Sequence, residues 1–216
     1  MALFTPEFAF NTLMAGNDRF VKATALRPNQ TAARRLKLAQ TQEPFAAVLG
    51  CSDSRLPPEV ILDCGLGDLF TVRTAGHVLG GTVLGSLEYA ATHLGVSLIL
   101  VLGHERCGVV KAYIDKYAKP GTQDAHSAGG HLHDLVEEIA PAAEAARKAA
   151  GNPAEMTMRE HIRHTVESIR AELPSVRKLL DQKRIGLIGA RYDLDDGNLQ
   201  CVCAHGVQVP KEKMLT

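Results

Sequence analysis

Four short, nearly uninterrupted apolar runs punctuate the chain: Phe45-Ala46-Ala47-Val48-Leu49-Gly50, Phe70-Thr71-Val72, Val96-Ser97-Leu98-Ile99-Leu100-Val101-Leu102 and Ile185-Gly186-Leu187-Ile188-Gly189. The three longer runs, without polar alternation, predict strands buried on both faces, as in a parallel sheet, and Phe70-Thr71-Val72 predicts a short strand. A further run, Leu199 to Ala204, follows Asp196-Gly197, a hairpin signal, and predicts an antiparallel strand at the sheet edge.

Helical spacing fills the intervals. Thr5-Pro6-Glu7 starts a helix, with Phe10, Leu13, Met14 and Val21 near one face. Arg27-Pro28-Asn29 breaks the segment. Thr31 to Gln40 predicts a second helix whose basic side, Arg34, Arg35 and Lys37, reads as solvated. Pro57 and Pro58 start a short helix. Another runs from Gly81 or Thr82 to Leu94, closed by Gly95, and another from Val109 to Tyr117. Residues 121–130 read as a polar loop. His126, His131 and His133 cluster there and are taken as surface histidines. His131 to Ala150 predicts one helix. After Gly151-Asn152-Pro153 comes a helix with Met158, Ile162, Val166, Ile169 and Leu173 in one stripe; His161 and His164 lie off the stripe and are expected in solvent. The alternation predicts an α/β fold: a mainly parallel central sheet flanked by helices, with a C-terminal antiparallel edge strand and an N-terminal helical arm. Residues 1–216 are expected to form a single domain, with the arm over 1–40 and the α/β core over 44–205.

Composition narrows the classes. Lysine plus arginine equals aspartate plus glutamate at 24 each, so net charge gives no reason to expect nucleic acid or an anionic membrane as partner. Five cysteines at irregular spacing are not a disulfide framework and fit a reducing compartment. The longest apolar run is far short of the roughly 20 residues that span a membrane. The first residues lack a basic region followed by an apolar one. A soluble, cytoplasmic protein is expected.

The chemistry sits at two strand ends. Cys51-Ser52-Asp53-Ser54-Arg55 follows the first apolar run, and Gly103-His104-Glu105-Arg106-Cys107-Gly108 follows the third. Carboxyl ends of parallel strands are where open α/β sheets bind ligands. Two thiolates and one imidazole, Cys51, Cys107 and His104, suit Zn2+. Three protein ligands on a tetrahedral ion are the mark of catalytic rather than structural zinc. Cys64 reads as a small buried residue. Cys201, Cys203 and His205, alternate residues of one strand, form the best rival metal site, but a strand spreads such residues by about 6 to 7 Å per pair.

These motifs resemble the signature of the β-class carbonic anhydrases. Gly67-Asp68-Leu69-Phe70-Thr71-Val72-Arg73-Thr74-Ala75-Gly76 resembles the family's second strand and loop, and Ser86-Leu87-Glu88-Tyr89-Ala90 its next helix. The likeness covers roughly residues 7 to 200. The family often has Asn where Thr74 and His77 stand, and usually a Ser/Thr-Asp pair where Glu105-Arg106 stand. The resemblance implies zinc-dependent reversible hydration of carbon dioxide to bicarbonate and a proton via zinc-bound hydroxide. It implies metal ligands Cys51, His104 and Cys107, and N-terminal helices lying on a partner subunit in a homodimer or dimer of dimers. Gln42 matches the glutamine that donates a hydrogen bond to substrate across the dimer interface in one subgroup. Val48 stands where an allosteric, bicarbonate-inhibited subgroup carries Trp, which argues against that regulatory site.

Roles follow from side-chain chemistry. Asp53 would accept the hydrogen of the attacking oxygen, and Arg55 would keep Asp53 ionised and off the metal. The backbone N–H of Gly108, at a helix start, would bind an oxygen where negative charge grows. In a closed form Asp53 itself would be the fourth ligand. Ala47, Val48, Ala75, Val78 and Leu79 are candidates to line an apolar CO2 pocket, and His77 and Tyr192 to pass on the proton. Two other readings remain open: hydrolysis of a CO2 analogue, carbonyl sulfide or carbon disulfide, on the same scaffold, and a structural zinc or thiol-redox protein. Absence of a Cys-x-x-Cys pair weakens the last.

Overall fold

The computed structural model describes residues 4–118 and 130–215; the expected polar loop with His126 lies almost entirely outside them. The N-terminal helix α1 (Pro6–Val21) is capped by the Thr5 hydroxyl, which accepts from the Phe8 N–H at 3.1 Å. It buries Ala9, Phe10, Leu13 and Met14 in this chain's own core. Helix α2 (Ala32–Leu38) is capped in the same way by Thr31 and buries none of its residues.

Strand β1 (Ala46–Cys51) and the short helix α3 (Pro58–Ile61) precede β2 (Leu69–Thr74). Helix α4 (Gly81–Tyr89) continues through a wider turn, Ala90–Leu94, to Gly95, whose φ of 68° is the left-handed cap expected there. Strand β3 (Leu98–His104) leads into α5 (Gly108–Ala118). The single helix expected over 131–150 is two, α6 (His131–Glu137) and α7 (Ala140–Ala146). Pro141 is the reason: it has no N–H to continue a helix begun at 131, and is tolerated only in a first turn. Helix α8 (Pro153–Glu172), capped by Asn152, and α9 (Pro174–Asp181) come before strands β4 (Gly186–Tyr192) and β5 (Leu199–His205).

The sheet order is β2-β1-β3-β4-β5. All neighbours are parallel except β4 and β5, which pair antiparallel with an irregularity between Gly189 and Ala190. The hairpin expected at Asp196-Gly197 is present, with Gly197 at φ 77°. Strands β1, β3 and β4 are buried along their whole length, which is why they read as unbroken apolar runs. The chain leaves β1 toward β2 on one side and returns to β3 on the other. A crevice therefore opens between the carboxyl ends of β1 and β3, the switch point where such sheets bind ligands.

Helix α8 packs unusually close over β3 and β4. A Cβ on Gly103 would lie 2.6 Å from Ile162 Cδ1, and one on Gly189 would lie 2.5 Å from Ile162 Cγ2. The stripe Met158, Ile162, Val166 and Ile169 is buried as expected, but so is the adjoining row Thr157, His161 and Thr165. His161, expected in solvent, is therefore inside, because the bare glycine backbone lets the helix sink deeper than a single-seam helix would. His164 is exposed.

Candidate metal centre at the ends of β1 and β3

Cys51 ends β1, His104 ends β3, and Cys107 follows one turn later at the start of α5. Their ligand atoms all lie within 4.8 Å of one another, and all three residues are buried. His104 Nδ1 lies 2.9 Å from the Glu105 carbonyl oxygen, which can only accept, so Nδ1 carries the proton. Nε2 is left as a lone pair, buried and without a hydrogen-bond partner. A buried imidazole nitrogen in that state, facing two thiols, has the donor set and tautomer that zinc requires.

The sulfurs are prepared for a cation. The Cys51 thiol is held well below its usual range, first by its hydrogen bond with Cys107 and then, against burial, by His104 and the N–H groups of Asp53 and Gly76. These N–H groups donate to Cys51 Sγ at 3.4 and 3.3 Å. Cys107 is pushed up by the same shared hydrogen bond and by burial, although the N–H groups of Val109 and Val110 in the first turn of α5 point at its sulfur. Binding a divalent ion at these two thiols would release their protons.

Asp53 and Arg55 stand beside this cluster. Arg55 Nε and Nη2 donate to Asp53 Oδ1 and Oδ2 at 2.9 and 2.7 Å. Asp53 Oδ2 lies 4.0 Å from His104 Nε2. The carboxylate is engaged by Arg55 and is not part of the three-ligand group. Arg73, which sequence reasoning left without a role, reaches from β2 over the strand ends: Nε donates to the Cys51 carbonyl at 3.0 Å and Nη2 to the Asp53 carbonyl at 2.7 Å. Only the register that sets Arg73 beside Gly50 reveals this, so no signal in the sequence alone marked it.

Other candidates fall elsewhere. Gly108 opens α5 next to Cys107. Gln42 is exposed, in the segment before β1, at the opposite end of that strand from Cys51. His77 and Tyr192 are both buried, His77 completely, so neither meets solvent to hand on a proton; burial also pushes the His77 imidazole well below its usual range. Val78 and Leu79 line a cavity of about 320 Å³ together with His161, His164 and Glu138. Cys64 is buried, and burial pushes its thiol up to about 12. The rival set disperses: burial pushes Cys201 up to about 12 and Cys203 up to about 11, while His205 Nε2 lies 2.7 Å from Glu167 Oε1. Among the described residues the only other close ligand group is Glu105, Asp193 and Asp195, and their carboxylates face Arg106 and Arg191.

Comparison with known proteins gives this arrangement a family. The family model described as Carbonic anhydrase matches residues 46–199. Carbonic anhydrase 2 of Mycobacterium tuberculosis is 40% identical over 192 residues, covering 89% of this chain and 90% of its own. Among solved structures, the β-carbonic anhydrase CcaA superposes with a TM-score of 0.69 at 21% identity, over 89% of this chain and 94% of its own. A tetrameric β-carbonic anhydrase from Sordaria macrospora gives a TM-score of 0.68 at 21% identity, over 90% and 98%. With the family model, the sequence relatives and the solved structures in agreement, the chain belongs to the β-carbonic anhydrase family and is an enzyme of the lyase class.

Proposed function

We propose that the enzyme hydrates carbon dioxide reversibly to bicarbonate and a proton with a zinc ion held by Cys51, His104 and Cys107. The observation that carries this reading is the bare, buried Nε2 of His104 set against two cysteine sulfurs. When bound, zinc supplies the Lewis acidity that ionises a water near neutral pH.

The chain's own groups do the rest. Asp53 accepts the hydrogen of the attacking oxygen and aims its lone pair at CO2. Arg55 holds Asp53 ionised and turned away from the ligands; the guanidinium keeps this carboxyl well below the usual carboxylate range. Arg73 pins the carbonyls of Cys51 and Asp53, so the turn cannot drift. The Gly108 N–H, at the positive end of α5, serves the oxygen on which charge grows.

Gln42 lies far from Cys51 within one chain, so a role at the site requires a second subunit. Assembly into a homodimer or dimer of dimers is part of the proposal. It is supported by the tetrameric state of the Sordaria macrospora protein and by apolar side chains left exposed near the N-terminus, Phe8 and Leu36. No helix of the described residues is long and apolar enough to cross a membrane.

The reported relative is named a carbonic anhydrase, which favours this reading over hydrolysis of carbonyl sulfide or carbon disulfide. The engagement of Asp53 by Arg55 speaks against a structural zinc with Asp53 as permanent fourth ligand. Metal analysis with stopped-flow CO2 hydration tests the proposal. One zinc per chain and hydration activity are expected, both lost in Cys107→Ser. Metal-free purified protein, or a Cys107→Ser variant as active as the wild type, would sink it.

A further inference from the structure

Two buried imidazoles lie beside the cysteine-histidine cluster, and the reaction as described uses neither. The rings of His77 and His161 lie against each other with centroids 4.3 Å apart, tilted by 35°, and the residues are 0% and 3% exposed. His161 Nε2 lies 2.8 Å from the Gly76 carbonyl oxygen. A carbonyl can only accept, so Nε2 carries the proton; Nδ1 is then a buried lone pair, and it has no partner. The other polar group of Gly76, its N–H, donates to Cys51 Sγ at 3.3 Å.

Gly76 has little freedom to choose that orientation for itself. It sits at φ 66°, directly before a left-handed His77 at φ 46° and two residues after extended Thr74. This is a run of conformations that a loop would abandon without outside contacts to hold it. A Cβ on Gly76 would come within 3.1 Å of Val109 Cβ in α5, so the loop is closed in on that side. His161 meets the same loop at the Gly76 carbonyl. It arrives there because Gly103 and Gly189 let α8 lie against the sheet, and Gly103 is the residue immediately before His104.

We propose that His161 is a positioning residue for the metal centre. By holding the Gly76 carbonyl through its Nε2–H, it aims the Gly76 N–H at the Cys51 sulfur and so fixes the direction and donor strength of that ligand. The inference rests on the reading of Cys51 as a zinc ligand. Partners bonded directly to a ligand orient it and tune its charge, and losing one commonly lowers metal affinity by about 10- to 100-fold. Gly76 is such a partner and His161 acts through it, so the low end of that range applies. The tilted His77 ring packs beside His161, with centroids 4.3 Å apart.

The test compares His161→Phe, which keeps an aromatic ring and loses the donor, with His161→Gln, which keeps an N–H donor. Zinc affinity is read by chelator competition, and the sulfur-to-metal charge-transfer band in the cobalt-substituted protein. The Phe variant is expected to bind zinc about 10-fold more weakly with a shifted band, and the Gln variant to recover most of both. Wild-type affinity and band in the Phe variant would overturn the proposal. So would a Gln variant as weak as the Phe variant, since ring packing rather than the donor would then be what matters. If the Phe variant does not fold, the decision passes to the Gln variant and to nitrogen NMR of wild-type His161. A proton on Nε2 with near wild-type zinc affinity for Gln upholds the proposal; a proton on Nδ1, or a weak-binding Gln variant, overturns it. Wild-type protein that takes up no zinc would instead sink the parent reading, a distinguishable result.

Discussion

Arg55 closes on Asp53 with two parallel bonds, Nε to Oδ1 at 2.9 Å and Nη2 to Oδ2 at 2.7 Å, and its own backbone N–H adds a third to Oδ1 at 2.9 Å. A planar fork fixes the orientation of a carboxylate as well as its charge, which a lysine ammonium cannot do. Arg55→Ala is expected to lower kcat for CO2 hydration by about 100-fold while zinc content stays at the wild-type level. Arg55→Lys should recover only part of the loss, because a point charge leaves Asp53 free to turn. Stopped-flow rates beside metal analysis check this; loss of zinc in Arg55→Ala would make the arginine a structural element of the site.

Asp63 ties the N-terminal arm to the core, far from the chemistry. Its carboxylate, 1% exposed, accepts from Arg19 Nε at 2.6 Å and from the N–H groups of Leu26 and Arg27 at 3.0 and 2.8 Å. Burial alone would raise its pKa, but the Leu26 N–H, the Arg19 guanidinium and the Arg27 N–H outweigh burial and hold it below the usual carboxylate range. A carboxyl depressed in the folded state stabilises the fold above its unfolded pKa, about 3.9, and that stability is lost as pH falls through the lower folded value. Asp63→Asn is therefore expected to cost about 3 kcal/mol at neutral pH, a difference that shrinks below about pH 4. Urea denaturation of both proteins across pH checks it. A gap that stays constant into acid would show that the charge of Asp63 contributes nothing.

The sequence made some of this legible and hid the rest for physical reasons. Strands β1, β3 and β4 could be read because they are buried on both faces, and a buried strand has no polar positions to obscure it. The clustering of Cys51, His104 and Cys107 could be read because they fall at or just past strand ends, where parallel sheets deliver side chains to one crevice. Pro141 was sufficient in principle to divide the helix expected over 131–150. His161 was different. A stripe at helical spacing identifies one seam, and how far the flanking row is buried depends on Gly103 and Gly189 in two other strands. Arg73 was hidden in the same way, since an arginine on an edge strand looks solvated until the register sets it across from the Cys51 turn.

Arg191 is the charged counterpart of that lesson. It is 8% exposed in β4, and its guanidinium meets Glu105, Glu155 and Asp193 at 3.1, 2.9 and 3.0 Å. Glu105 follows His104 directly and also accepts from the Leu194 N–H at 2.8 Å. Removing the arginine would leave carboxylates partly buried without their cation, a change that costs about 3 to 5 kcal/mol. Arg191→Met is expected to destabilise the fold by that amount and to weaken zinc binding, because Glu105, whose carbonyl sets the His104 tautomer, loses one of the contacts that hold its side chain and keeps those from Arg106 and the Leu194 N–H. Thermal melting with and without zinc checks both. A Met variant as stable as the wild type would mean that apolar packing replaces the ion network without loss.

The close approach of α8 to the sheet can be tested by filling the space that allows it. Gly103→Ala would place a Cβ 2.6 Å from both Ile162 Cδ1 and Cγ1 and 2.9 Å from Met158 Sδ, nearer than carbon atoms pack. Overpacking of this kind costs about 1 to 3 kcal/mol. Ile162→Ala alone removes a fully buried side chain and is expected to cost about 2 to 5 kcal/mol through the cavity it leaves. In the double variant the new methyl group occupies part of that cavity, so the two losses should sum to less than their separate values, by about 1 kcal/mol or more. Denaturant midpoints of the four proteins give the coupling directly. Strict additivity would show that α8 shifts away freely when Gly103 gains a side chain, and that the depth at which His161 sits is not set by this contact.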